Sequence, residues 1–292
     1  MKNINDCLKS IAQNYGWKYL SYDNGKLIQL INRVGKSVAV YGHYFPLNSD
    51  TVAKICNDRN LTNKILSTAG IPTEEYLEVE FTSVNRVVND LEPLLDNYKE
   101  IIIKSILKND KLIEKISNKD ELYKFATTNQ NKLEKVLAGK LMNYSHFYSI
   151  YLVNGATELA VEYIRPKIVG DGASTIWELL SLSNIDVYDE NIDLNQVPEY
   201  NETIYTSWQY KTTTAKHTLV NDKFILDNLT SLSQMVSSVI GVLNGTFDIC
   251  ECDGKYYIQS VDTSLNADML LSNQENVPRV MRLYEKAIRL LI

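Results

Sequence analysis

Alternating hairpin and helix signals predict an α+β fold built in layers rather than as one doubly wound sheet. Three observations carry that expectation. Asn24-Gly25, Asn154-Gly155 and Asp253-Gly254 each sit between short extended runs, where tight hairpin turns favour such dipeptides. Stretches with apolar residues three and four apart lie between those hairpins, as amphipathic helices require. Finally, Val169-Gly170-Asp171-Gly172-Ala173-Ser174-Thr175-Ile176 leads into Trp177-Glu178-Leu179-Leu180. Its two glycines permit positive φ and close backbone packing around Asp171. Ser174 or Thr175 can then cap a helix, with Glu178 near its first turn.

The elements follow in order. Ile4, Leu8, Ile11 and Ala12 give a helical stripe from Asn5 to Gln13, ending near Gly16. Two strands flank Asn24-Gly25, and Lys36–Tyr41 supplies a third. Two helices precede Gly70 and Pro72, which stop the second. Tyr76–Phe81 reads as extended, and a helix starts at Val84 despite Pro93. Lys99–Leu107 is an apolar strand around Lys104, followed by a strand to Ile116 and a helix capped by Asn118. Strands at Lys135–Leu137, Phe147–Val153 and Thr157–Ile164 come next, then the helix after Thr175. Ile185–Glu202 is polar, contains Pro198 and reads as a surface excursion. Asp222–Leu243 is the longest helix, the Asp253-Gly254 hairpin follows it, and Val277–Leu291 closes the chain as a helix.

With 292 residues the chain is long enough for two or three subdomains. A net charge of −6 argues against a nucleic-acid partner held mainly through phosphates. No membrane-length apolar run and no signal-peptide pattern occur, so a cytoplasmic protein with no membrane partner is expected. Cys7, Cys56, Cys250 and Cys252 are few and unevenly placed, which suits reduced thiols. Cys250 and Cys252 share a strand face and read best as small apolar fillers. The three histidines are scattered and form no catalytic constellation.

Five segments occur together in an order that resembles the ATP-grasp superfamily, in particular its cyanophycin synthetase and bifunctional glutathione synthetase branch. They are Asp58-Arg59 with Thr62, Leu66 and Ala69-Gly70-Ile71-Pro72; Ile101-Ile102-Ile103-Lys104; Arg165 through Gly172; Gly245-Thr246-Phe247-Asp248-Ile249; and Ser260-Val261-Asp262-Thr263-Ser264. The resemblance runs from about Asn48 to the C-terminus. It implies an ATP-grasp fold with an N-terminal pre-grasp or cap region over 1–72, a small subdomain over 73–140 and a large subdomain over 141–292. Nucleotide would lie between the last two.

The resemblance also assigns roles. Lys104 would contact phosphate; alternatively its stem snorkels from one strand face. Lys108 and Lys111 would supply charge in the phosphate loop, which has no glycine here and reads equally well as a solvated turn. Leu137 and Gly139 lie in the stretch that would hydrogen-bond adenine, though the family's acidic residue after it is missing. Arg165 and Lys211 would hold phosphate or a substrate carboxylate, or else sit in a surface ion pair and a solvated loop. Asp248, Ser260 and Asp262 stand where the family places Asp, Glu and Asn around magnesium; serine cannot bridge two metals as a carboxylate does. A three-residue loop, Cys252-Asp253-Gly254 with Gly254 left-handed, would put Asp248 on the same face as Ser260 and Asp262. Lys104 would then stand opposite Asp248 and Asp262 across one cleft.

Two classes of function remain. One is an ATP- and magnesium-dependent carboxylate–amine ligase acting through an acylphosphate, with small carboxylate and amine substrates. The retained lysines, arginine and two aspartates favour it. The other is a silent relative, serving as a partner or regulatory subunit to an active ligase, or binding nucleotide without turnover. Four altered elements favour that: the phosphate loop, the adenine stretch, the loop before Lys216 and the metal set.

Overall fold

The computed structural model describes residues 3–110, 112–183, 192–212 and 215–292. Among these, strands form a three-, a four- and a five-stranded sheet and a two-stranded ribbon.

Helix α1 (Ile4–Tyr15) is capped by Asn3, whose side chain accepts from the Asp6 amide, and it stops at Gly16 with φ of 63°. It outruns the apolar pattern because both cap and stop lie outside that pattern. β1 (Lys18–Tyr22), β2 (Leu27–Ile31) and β3 (Ser37–Tyr41) form an antiparallel meander. Ile28, Leu30, Val38 and Val40 alternate onto α1, burying its Ile4, Leu8 and Ile11. α2 (Asp50–Asn57) and α3 (Arg59–Thr68) meet at Asp58, which terminates the first and whose carboxylate accepts from the Leu61 amide to cap the second.

β4 (Leu77–Glu80), β5 (Ile101–Ser105), β6 (Ile113–Ile116) and β7 (Lys135–Lys140) make the antiparallel four-stranded sheet, in the order β4-β7-β5-β6. α4 (Val84–Tyr98) runs on past Pro93, and with α5 (Lys119–Asn129) it covers one face, packing on Ile101, Ile103, Val136 and Ala138. Strand alternation therefore turns Ile102, Lys104, Leu137 and Gly139 to the opposite face.

β8 (His146–Val153), β9 (Ala156–Ile164), β12 (Lys216–Leu219), β13 (Asn244–Cys252) and β14 (Lys255–Asp262) form the five-stranded sheet, in the order β12-β9-β8-β13-β14. On one face lies α7 (Lys223–Ile240), whose Leu229, Leu232, Val236 and Ile240 bury against Tyr148, Ile150, Phe247 and Ile249. Asp222 caps it and Gly241, at φ of 84°, ends it. The other face carries a shared core with α1 and α8 (Val277–Arg289) around Phe147, Tyr151, Val161 and Tyr163. β10 (Lys167–Val169), β11 (Thr203–Tyr205) and α6 (Ile176–Ser183) form a small lobe with its own core of Ile168, Ile176, Leu179, Leu180 and Ile204. In the excursion read over Ile185–Glu202, residues 185–191 lie outside the described residues; beyond them, Leu194 and Gln196 carbonyls accept from the Trp177 and Ile176 amides.

Among the described residues no helix is long and apolar enough to cross a membrane.

Candidate functional site

Gly170-Asp171-Gly172 folds as its residues require. Asp171 accepts from the amides of Ala173 and Ser174 and from the Ser174 hydroxyl, at 2.7–2.9 Å. Those bonds pull its carboxyl from 3.8 down to about 2. A Cβ on Gly170 would lie 2.1 Å from the Glu199 carbonyl oxygen, so only glycine admits the returning chain. Thr175 and Glu178 then form a capping box, with the Thr175 amide donating to Glu178 at 2.8 Å and the Glu178 amide donating back to the Thr175 hydroxyl at 3.3 Å.

The hairpin of β13 and β14 departs from the expected loop. Cys252 pairs with Lys255, so the turn has two residues, and both Asp253 (φ 51°) and Gly254 (φ 73°) are left-handed. That register alone would turn Asp248 away from Ser260. A bulge reverses it: Asp248 pairs with Ser260 but Ile249 with Ile258, leaving Gln259 as the extra residue. Asp248 and Ser260 thus face the same way, by a different device from the three-residue loop. Asp248 accepts from Ser149 at 2.5 Å, Ser260 at 3.2 Å and Lys211 at 3.0 Å. Burial pulls the Lys211 pKa down, but Asp248, Tyr163 and Asp262 outweigh it and hold the ammonium above the ordinary lysine value.

Lys104 is on the cleft-facing side of β5, with its side chain 3% exposed. Its ammonium lies 2.7 Å from Glu74, whose side chain is also 3% exposed. Tyr76 and Tyr144 donate their hydroxyls to the same carboxylate, and Lys104 also bonds the Tyr76 oxygen. Burial beside Glu74 drives the Tyr144 hydroxyl well above its ordinary value. This cluster joins the segment after Pro72, the four-stranded sheet and the connection into β8. Gly139 makes room for it: a Cβ there would stand 2.4 Å from the Glu75 carbonyl oxygen and 2.9 Å from the Tyr76 ring. Leu137 is buried in the same face, and its backbone is in register with Glu78 on one side and Lys104 on the other. The stretch expected to hydrogen-bond adenine is a strand lying between β4 and β5, three residues longer than its apolar pattern suggests.

The loop after β5 is pinned rather than open. Arg59 donates to the Ser105 carbonyl at 2.8 Å, the Ser105 hydroxyl at 3.0 Å and the Leu107 carbonyl at 3.1 Å. Lys108 donates to the Val261 carbonyl of β14. Burial lowers the Lys108 pKa, with Asp262 acting against that. Lys111 lies outside the described residues, as do Thr213 and Thr214 of the loop before Lys216. Asp262 accepts from the Ser264 amide at 2.8 Å and lines a cavity of about 460 Å³ with Lys108, Tyr44 and Cys56. Asp248 and Lys211 line another, of about 170 Å³, between Ile102 and Ile113 of the four-stranded sheet and Phe147 and Gln259 of the five-stranded one. Asp248 and Asp262 lie two register positions apart on one face of the β13–β14 hairpin, and Lys104 lines neither of these two cavities. Arg165 stacks on Tyr205 at 4.3 Å and donates to the Ser207 carbonyl at 2.6 Å; among the described residues no carboxylate pairs with it.

With this geometry in hand, the likeness to solved structures is informative. The bifunctional glutathione synthetase from Pasteurella multocida matches over 97% of this chain with a TM-score of 0.59 at 14% identity. The chain spans 44% of that protein's length. D-alanine–D-alanine ligase from Bacillus anthracis matches over 82% of this chain and 70% of its own, with a TM-score of 0.55 and 15% identity. The RimK domain protein ATP-grasp from Sphaerobacter thermophilus matches over 81% and 69%, at 0.52 and 10%. The chain has the ATP-grasp fold. No protein-family model and no curated protein sequence matches it.

The ATP-grasp fold raises the question of ATP and magnesium, and the residues as arranged do not fit them. Asp248 is engaged by Lys211, Ser149 and Ser260, and Ser260 uses its hydroxyl as a donor to that same carboxylate. Among the described residues no three His, Cys, Asp or Glu side chains gather to hold a metal. The ammonium that phosphate would need is already neutralised by Glu74. Sequence reasoning missed Glu74, Tyr76 and Tyr144. The available signal was the cost of burying Lys104 in an apolar strand, which demands a counter-ion. That signal asks for a partner without naming it: several acids lie between Pro72 and Ile101, with Glu100 directly before the strand, and nothing local sets Glu74 apart.

Proposed function

We propose that this protein is a catalytically silent member of the ATP-grasp fold, working by binding rather than by turnover. The observation that carries the reading is the Lys104–Glu74 pair, 2.7 Å apart and sealed from solvent. A phosphate could reach Lys104 only by displacing a buried carboxylate together with the two tyrosine hydroxyls bound to it. Breaking such a pair exposes an uncompensated charge, at a cost of about 3–5 kcal/mol.

The Bacillus anthracis protein named above is a ligase and has a structure with ATP. Calorimetric titration of MgATP into the protein, alongside a coupled assay for ADP release, tests the proposal. No heat of binding at millimolar MgATP and no ADP release are expected. Saturable binding with ADP formation in the presence of any acid–amine pair overturns it.

A further inference from the structure

An open cavity of about 360 Å³ lies on the N-terminal meander, lined by Asn14, Tyr15, Trp17, Asn32, Arg33 and Val34. These residues come from the end of α1, the step into β1 and the turn joining β2 to β3, so none belongs to the four- or five-stranded sheet. The Tyr15 and Trp17 rings stack, with centroids 4.9 Å apart at 26°. Both rings rest on the core and are only half-buried, so each keeps some surface open. The Tyr15 hydroxyl donates to Glu285 of α8, which fixes that ring. Gly16 lies between the two in sequence. A Cβ on it would stand 2.8 Å from a guanidinium nitrogen of Arg33, so the glycine that ends α1 also lets the cation lie against the backbone beside the rings.

The polar groups of this cavity are mostly uncommitted donors. Arg33 makes no hydrogen bond or ion pair with a described residue. The Asn32 side-chain carbonyl accepts from the Val34 amide at 3.1 Å and the Lys36 amide at 2.9 Å. That use of its oxygen leaves its NH2 group as two spare donors. The Trp17 indole N–H, a donor only, has no partner among the described residues. No carboxylate lines the cavity. The surrounding charge points the same way. Between Asn3 and Asn48 stand five basic and two acidic residues, in a chain whose net charge is −6.

We propose that this cavity binds an aromatic carboxylate, with the carboxylate on the Arg33 fork and the ring against the Tyr15–Trp17 pair. A guanidinium takes a carboxylate through two parallel N–H bonds. Flat rings next to it favour stacking. A lining rich in donors and without an acid selects an anion over a cation. The C-terminal carbonyls of α1 also attract a cation. That attraction alone would account for the place of Arg33, but it needs neither the spare donors nor the aromatic pair. The site goes beyond the silent reading and shares no residue with it.

Trp17 supplies the signal. In a Trp177→Phe/Trp208→Phe background it is the sole tryptophan. Benzoate, phenylacetate and nicotinate are titrated to about 20 mM at fixed ionic strength, a range suited to ligands of so few atoms. Acetate and benzamide present the charge and the ring separately. At least one aromatic carboxylate is expected to change Trp17 emission saturably, and each separate half should bind roughly tenfold more weakly or worse. Arg33→Gln should weaken the ligand by roughly tenfold or more, the loss of hydrogen bonds between charged groups. Arg33→Lys keeps the charge without the fork and should recover only part of that. Circular dichroism and urea unfolding confirm that both variants fold. No saturable response to any of the three carboxylates overturns the proposal, as does binding unchanged by Arg33→Gln. Benzamide binding as tightly as benzoate overturns it too. A fall in stability on Arg33→Gln with Trp17 unmoved by every carboxylate would mean that Arg33 serves α1 alone. MgATP in the same assay should leave Trp17 unmoved; a saturable response there would overturn the preference for a carboxylate without bearing on the cleft between the sheets.

Discussion

The turn at Asp171 and the strand at Lys104 both hold a charged side chain whose hydrogen bonds are supplied by the protein, yet the partners come from very different distances along the chain. Asp171 is exposed and satisfied by groups two and three residues away. Lys104 is buried and satisfied by Glu74, thirty residues back, and that carboxylate also binds Tyr144, seventy residues from it. The first arrangement needs only the local backbone. The second exists only once the segment after Pro72, the four-stranded sheet and the connection into β8 have come together. A local cap can be lost with little effect elsewhere, whereas a buried cross-chain cluster cannot lose one member without stranding another.

Breaking the buried cluster should have the largest effect. Glu74→Ala leaves the Lys104 ammonium without its counter-charge and should cost about 3–5 kcal/mol in urea unfolding. The paired substitution Lys104→Met with Glu74→Leu removes both charges and should recover most of that loss. A single variant as stable as the wild type would mean that the pair is not sealed. In the lobe, Gly170→Ala forces a methyl against the Glu199 carbonyl oxygen and should cost about 1–3 kcal/mol, as overpacking does. Hydrogen exchange should place that loss around β10, β11 and α6, leaving β5 and β7 protected. The smallest effect belongs to Asp171. Its carboxyl is lowered to about 2 in the folded state, so its contribution is complete above its ordinary value of 3.8 and disappears as pH falls toward 2. Asp171→Asn should flatten that part of the acid titration of the Ser174 amide, followed by NMR.

The same contrast explains what could be read from the chain. The hairpins, the capped helices and the Gly-Asp-Gly turn announce themselves because short-range residue chemistry dictates them. The joint order of five segments was enough to point to the fold. Lys104 was recognisable as a buried charge on a strand; its partner was not, since Glu74 faces it only through tertiary packing. The face of Asp248 was anticipated through a three-residue loop, whereas the chain uses a two-residue turn and a bulge at Gln259. No residue-type preference marks that bulge. Where Lys108 and Lys211 reach, to the Val261 carbonyl and to Asp248, is likewise something strand alternation does not encode.

Lysine footprinting tests the central claim most directly: the protein is labelled with an amine-reactive ester, with and without MgATP, and each site is read by mass spectrometry. Exposed lysines such as Lys54 and Lys64 should label fully, while Lys104 stays unlabelled in both samples. Ready labelling of Lys104, suppressed by MgATP, would show an ammonium waiting for phosphate and would contradict the account.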